Sequence, residues 1–179
     1  MKNSNPDINK LTALKLLILD VDGVLTDGSI IYNDQGQETK IFCVRDGLGI
    51  KLLMDAGIDV CIATGRCSEA LRYRCKDLGI AHIFDGVNDK AQILKTILAR
   101  TGVSAHEAAF IGDDLPDLPL MKLVGFSIAV ADAHETVQAA ADMLTSAKGG
   151  AGAVREVSEI ILKAQGQWDK ILKRFKYPG

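Results

Sequence analysis

The sequence is short of the residues that build zinc centres and disulfide frameworks. It holds four cysteines and three histidines in 179 residues. No two cysteines form a Cys-x-x-Cys pair, and His82, His106 and His134 show no ligand spacing. These absences argue against a zinc site and against a disulfide-stapled secreted scaffold. Basic excess is missing too: the formal net charge is -2, so nothing points to nucleic acid. No uninterrupted apolar run approaches membrane-spanning length. Met1 to Lys10 is polar and lacks the apolar centre of a signal peptide. Repeats and low-complexity tracts are absent. The expectation is a cytoplasmic protein with neither a nucleic-acid nor a membrane partner.

What is present suits a globular enzyme. The chain is 47% hydrophobic and 25% charged, ordinary for a folded domain. Its length fits one catalytic domain over 1–179. Short apolar segments predict strands at Leu16–Leu19, Asp59–Ala63, His82–Phe84, Ala108–Ile111 and Ser127–Val130. Helical patterns alternate with them at Gly47–Asp55, Ser68–Leu78, Lys90–Arg100 and Asp117–Val124. That alternation predicts an α/β fold, a Rossmann-like parallel sheet with helices on both faces. Gly57, Gly79 and Gly102 stand where helices should stop. One segment departs from the rhythm. Ser29–Asn33 and Glu38–Val44 flank Asp34-Gln35-Gly36-Gln37, which reads as a β-hairpin inserted over 29–44. A helix to about Lys163 follows the glycine-rich 149–152, and 166–179 reads as a C-terminal tail that carries a further amphipathic piece, Trp168–Phe175.

The chemistry concentrates at strand ends. Asp20-Val21-Asp22-Gly23 closes the first strand with two carboxylates. Read alone it is equally a solvated turn or a site. An EF-hand calcium loop is set aside, because the glycine falls too early and no Glu stands twelve residues on. Thr64 closes the second strand with a hydroxyl. Lys90 opens a helix, where the dipole disfavours a cation unless an anion faces it. Asp113, Asp114 and Asp117 follow the fourth strand. Each has an ordinary explanation, as a helix cap or a solvated charge. All four groups nevertheless fall at one edge of one sheet, where ligands bind in such folds. Together they supply the parts of a Mg²⁺ and phosphate site.

Asp20-x-Asp22-Gly23-x-x-Thr26, Thr64, Lys90 and Gly112-Asp113-Asp114-x-x-Asp117 resemble, in order and position, the four motifs of the haloacid dehalogenase superfamily of phosphohydrolases. Within it, Val44-Arg45-Asp46-Gly47, Thr64-Gly65-Arg66, Val130-Ala131-Asp132-Ala133 and the glycine-rich run before Arg155-Glu156 resemble the 3-deoxy-D-manno-octulosonate 8-phosphate phosphatases. The resemblance implies a Mg²⁺-dependent phosphomonoesterase of lipopolysaccharide synthesis. Asp20 is then the nucleophile and Asp22 the general acid and base, with Thr64 and Lys90 on the phosphoryl oxygens. The metal ligands implied are Asp20, Asp22 through its carbonyl, Asp113, and Asp114 through water. The residues implied for the sugar acid phosphate are Asp22, Cys43, Val44, Arg45, Asp46, Gly47, Arg66, Arg74 and Lys90. Cys43 stands where relatives often carry a polar residue.

Spacing adds a further expectation. Asp20 to Thr64 spans 44 positions and Thr64 to Lys90 spans 26, which leaves no room for a cap domain in either gap. A capless site needs another cover, and the resemblance implies a homotetramer whose hairpins cover neighbouring active sites. Arginine suits the substrate's carboxylate because its fork holds both oxygens; Arg66, beside Thr64, is the foremost candidate. Two alternatives stay open at this point. One is a phosphatase of acylneuraminate or nonulosonate 9-phosphates, and the other a receiver-like phospho-accepting signalling module.

Overall fold

The computed structural model describes residues 7–177, so the readings of residues 1–6 and 178–179 lie outside the described residues. The chain runs α1 (Ile8–Thr12), β1 (Leu16–Leu19), β2 (Ile31–Tyr32), β3 (Glu38–Thr39), α2 (Val44–Asp55), β4 (Asp59–Ala63), α3 (Glu69–Leu78), β5 (His82–Phe84) and α4 (Lys90–Thr101). It continues through β6 (Ala108–Gly112), α5 (Leu118–Met121), β7 (Phe126–Ala129), α6 (Glu135–Ala140), β8 (Met143–Leu144), α7 (Ala153–Ala164) and α8 (Trp168–Arg174).

Six strands form one parallel sheet in the order β5-β4-β1-β6-β7-β8. Every residue of β1 is fully buried. Successive strand residues face opposite sides, so both faces of the sheet are covered, and that is why β1 reads as a continuous apolar run. The helices fall into two groups: α2 packs on α7 and α3, while α5 packs on α4 and α6. Leu19 at the end of β1 lies between Ile62 of β4 and Ile111 of β6. From β1 the chain builds outward to β5 on one side, then crosses to β6 on the other. The carboxyl edge around β1 is therefore a topological switch point, the crevice where such sheets bind ligands.

Local chemistry explains the boundaries. Ser68 caps α3 by accepting from Leu71 N, and Asp89 caps α4 by accepting from Ala91 N and Gln92 N. Gly79 and Gly102 end their helices in the left-handed conformation. Gly149 and Gly150 are glycine for a different reason: they press against the loop after β1. Gly150 N donates to Val24 O at 2.9 Å, and a Cβ at Gly149 would overlap the Gly23 carbonyl oxygen.

Several expectations need correction. The paired part of the hairpin is shorter than 29–44: only Ile31 and Tyr32 pair, with Thr39 and Glu38 respectively. Asn33 shapes its turn by accepting from Gln35 N and Gln37 N. Val44 belongs to α2, not to the ribbon. The helix expected over Asp117–Val124 is a 3-10 turn, Leu115–Asp117, followed by the four residues of α5. Pro116 and Pro119 each stand in the first turn of their segment, where a missing N–H is tolerated. The amphipathic piece expected in the tail is the helix α8, with Ile171 buried and Arg174 Nη1 donating to Asp55 Oδ2 at 2.8 Å. No cap domain interrupts the two gaps, as the spacing required: among the described residues, β1 to β4 contains only the ribbon and α2, and β4 to α4 only α3 and β5.

Candidate active site

Asp20 leaves β1 with its amide donating to Ile111 O at 3.1 Å. The next residues coil tightly: the amides of Val24, Leu25 and Thr26 all donate to Val21 O. The buried Thr26 hydroxyl accepts from Gly23 N at 3.4 Å and Gly28 N at 3.2 Å, which ties the coil shut. Gly23 has φ +84 and lies so close to Asp113 that any Cβ would overlap its carboxylate. The Gly in Asp-x-Asp-Gly therefore lets the first and fourth motifs touch.

Thr64 is buried at the end of β4, held by its amide donating to Phe84 O at 3.0 Å. Lys90, in the first turn of α4, is buried between two carboxylates. Its Nζ lies 3.0 Å from Asp20 Oδ1 and donates to Asp117 Oδ1. The anion facing this unusual helix-start lysine is thus supplied by the chain itself. Asp117 Oδ2 accepts from Asp113 N at 2.8 Å and Asp114 N at 3.3 Å. One buried carboxylate thereby aligns both the lysine and the backbone of the fourth motif.

Asp20, Asp22, Thr64, Arg66, Lys90, Asp113, Asp114 and Asp117 line one cavity of about 390 Å³. Carboxylate oxygens of Asp20, Asp113 and Asp117 converge to within 4.8 Å of one another. Burial, and then Asp117, push the Asp20 carboxyl up to about 6 despite the opposing pull of Lys90. Burial, with Asp20 and Asp117, pushes Asp113 up to about 8. Burial disfavours charge on Lys90, but Asp20 and Asp117 outweigh it and its pKa rises. Fully ionised, three converging acids around one cation would carry surplus negative charge, and the raised pKa values of Asp20 and Asp113 reflect that crowding. Hard oxygen donors and a surplus of negative charge are what a small dication requires, so these residues fit Mg²⁺.

A sequence profile of the haloacid dehalogenase-like hydrolases matches residues 79–157. The chain is 45% identical, over 91% of its length and 87% of the relative's, to the 3-deoxy-D-manno-octulosonate 8-phosphate phosphatase of Escherichia coli K12. The chain belongs to this phosphatase family of haloacid dehalogenase-like hydrolases. The crystal structure of the Moraxella catarrhalis phosphatase, in complex with magnesium, phosphate and KDO, superposes with a TM-score of 0.91 at 46% identity, covering 94% of this chain and 97% of that one. The cobalt-bound Haemophilus influenzae phosphatase superposes with a TM-score of 0.86 at 50% identity, covering 88% and 92%. Membership in a hydrolase family removes the receiver-like signalling alternative.

Within this phosphatase fold the chain's own geometry departs from some expectations. Asp114, expected to act through water, lines the cavity as an exposed residue whose Oδ1 accepts from Leu115 N at 2.8 Å, and Asp117, not expected there, joins the converging oxygens. The Asp22 carboxylate is flanked by cations: Lys40 donates to Oδ1, and Arg66 Nε lies 3.5 Å from Oδ2. Arg66 reaches the cavity, but Cys43, Val44, Arg45, Asp46, Gly47 and Arg74 do not line it. Arg45 Nη2 donates to Ala151 O at 3.1 Å, and Arg74 Nη2 to Cys43 O at 3.4 Å. Asp46 Oδ1 accepts from Arg155 N at 2.7 Å and so caps α7 from a neighbouring helix. Cys43, Asp46, Gly47 and Arg74 surround a separate void of only about 10 Å³, room for no more than a water. These residues stitch α2 to its neighbours within the subunit.

The cap reading of Asp114 and Asp117 holds alongside the motif reading. Asp114 and Asp117 stand at the spacing of a capping box, which announces a tight turn folding the later acid back. Lys40 gave no such signal, because its contact with Asp22 crosses the whole hairpin.

Proposed function

We propose that this protein hydrolyses 3-deoxy-D-manno-octulosonate 8-phosphate to the free sugar acid and inorganic phosphate, in the cytoplasm, as a step of lipopolysaccharide synthesis. The carrying observation is the single cavity that joins Asp20, Thr64 and Lys90, groups for a phosphoryl transfer, to Arg66, a group for a carboxylate. Its family membership over nine-tenths of the chain supports the same substrate.

The proposed mechanism runs through the chain's own residues. The Asp20 carboxylate attacks phosphorus in line, forming an aspartyl-phosphate as the ester P–O bond breaks. Asp22 gives its proton to the departing sugar oxygen, then takes one from the water that attacks the same phosphorus. That second step releases phosphate and regenerates the Asp20 carboxylate. Thr64 and Lys90 donate hydrogen bonds to the phosphoryl oxygens as charge builds on them. Asp20 and Asp113, with the main-chain carbonyl of Asp22, would hold Mg²⁺; Asp117 is already committed to Lys90 and two amides. Bound there, the ion neutralises phosphoryl charge and orients the ester for attack.

The first experiment is phosphate release with Mg²⁺ from the octulosonate 8-phosphate, a nonulosonate 9-phosphate, hexose phosphates and p-nitrophenyl phosphate. A large preference for the octulosonate ester is expected. Activity on the generic ester alone would discard the proposed substrate. Arg66→Ala then tests recognition. Loss of a charge-assisted pair is expected to raise KM for the sugar acid phosphate by about 10- to 100-fold, with p-nitrophenyl phosphate far less affected. Equal effects on both substrates would remove the carboxylate role.

The same proposal includes a homotetramer in which hairpins cover neighbouring active sites. Its support is a cluster of exposed apolar side chains on and beside the ribbon: Ile30, Ile31, Ile41 at 67% and Val44 at 80%. Large apolar residues left out of the fold in one region mark a surface for another subunit. Sedimentation velocity is expected to give a tetramer that Ile31→Asp dissociates with loss of turnover; a fully active monomer would remove the covering role.

A further inference from the structure

The Arg66 guanidinium is already occupied by an anion. Its Nη2 donates to Glu38 Oε1 at 2.8 Å and to the Tyr32 hydroxyl at 2.9 Å. An Nη2 carries two hydrogens, so both are spent. Its Nε is buried and has no hydrogen-bond partner. A guanidinium grips a carboxylate with two parallel N–H bonds, along either its Nη1–Nη2 edge or its Nε–Nη2 edge. Both edges include Nη2. No incoming carboxylate can take the fork while Tyr32 and Glu38 keep their bonds. Asp22 Oδ2 already lies 3.5 Å from Nε, so releasing only Tyr32 would bring a third carboxylate to a cation that Glu38 and Asp22 already flank, which like-charge repulsion opposes. Glu38 is the group that must leave.

Its departure is prepared. Lys40 Nζ lies 3.4 Å from the same Glu38 oxygen, and the Lys40 side chain is 2% exposed. A Glu38 that lets go of Arg66 therefore keeps a cation and is not stranded as a bare charge in a half-buried place. Glu38 stands in the two-residue strand β3, which pairs only with β2, so little backbone structure resists its movement. The Ser68 hydroxyl, Arg66 and Lys40 overcome the effect of burial and hold the Glu38 carboxyl below its ordinary range.

We propose that Glu38 is a resident competitor for the substrate's carboxylate: it occupies Arg66 in the empty site and is displaced to Lys40 when the sugar acid binds. This rests on the sugar acid phosphate reading above. It makes Glu38 a specificity residue, because a phosphate ester without a carboxylate has nothing with which to displace it. Neutral sugar phosphates then find Arg66 closed.

The test compares wild type with Glu38→Gln. KM is measured for the octulosonate 8-phosphate and for p-nitrophenyl phosphate, and Ki for the free octulosonate. Removing the competitor raises the fraction of sites with an open fork. KM and Ki for the sugar acid are therefore expected to fall about three- to tenfold relative to KM for p-nitrophenyl phosphate. In the double variant Glu38→Gln/Arg66→Ala the gain should vanish. A rise in KM and Ki would mean that Glu38 aligns Arg66 for the substrate, and an unchanged ratio would mean no competition; either overturns the proposal. Glu38→Ala is read in the same way should the Gln variant fail to fold. A wild-type enzyme without preference for sugar acid phosphates would instead defeat the substrate reading, and that is decided before any variant is made.

Discussion

Asp20→Asn is expected to lower phosphate release by about four to six orders of magnitude, the scale seen when a covalent nucleophile is removed. The side chain keeps its size but loses the negative charge and the nucleophilic carboxylate. Asp20 also pairs with Lys90 and converges with Asp113, so the substitution touches the cation and the proposed metal as well. The fold should tolerate it. Asn still offers an oxygen to Lys90, and Lys90 keeps Asp117. Removing a carboxylate whose pKa is raised to about 6, mainly by burial, also relieves a desolvated charge. A melting temperature near wild type with turnover lost is therefore the expected pair of results. Mass spectrometry of wild type quenched during turnover should find one phosphoryl group on the peptide carrying Asp20. Retention of more than about one-hundredth of wild-type turnover by Asp20→Asn would assign the nucleophile elsewhere.

The sequence placed the centre of this molecule better than its edges, for a physical reason. Strands β1 and β4 are short, nearly unbroken apolar runs because both faces of the sheet are covered, and such runs are visible without a structure. The elements β8 and α6 were missed. β8 is two residues long, and α6 with the residues beside it is rich in alanine, so neither has a strong period. The site divides along the same line. Asp20, Thr64, Lys90 and Asp113 each sit at the end of a legible strand or the start of a legible helix, so their convergence followed from topology. Asp117 as an organiser of Lys90 did not, because it depends on how tightly one turn closes. The reach of Lys40 and Glu38 back to Asp22 and Arg66 depends on how a short ribbon lies across the cavity. The roles of 43–47 and Arg74 come from the resemblance alone; within the subunit Cys43, Asp46, Gly47 and Arg74 pack α2, Arg45 donates to Ala151 O, and Val44 stays exposed.

Lys90→Met is the second substitution with a large expected effect, and it should fail twice over. In catalysis it removes the buried cation from the phosphoryl oxygens. Loss of one such preorganised donor costs about 100- to 1000-fold in kcat. In stability it strands Asp20 and Asp117, both buried and both paired with this one ammonium. Breaking a buried pair by deleting one partner costs about 3–5 kcal/mol. The loss should carry a pH signature. The native pKa of Asp20 already lies above its ordinary 3.8, at about 6, with Lys90 holding it down. Without Lys90 it rises further, so the native state binds protons that the unfolded chain releases. An acid with a raised native pKa costs nothing below its unfolded pKa and destabilises progressively as pH rises through its native one. The variant's denaturation midpoint should therefore fall from pH 5 to pH 8 more steeply than the wild-type midpoint. Lys90→Arg restores the charge and should recover much of the stability. It should recover little of the rate, because a planar fork cannot place its donors where the compact ammonium did. Stability and rate recovering together would mean that Lys90 serves only to neutralise its two aspartates.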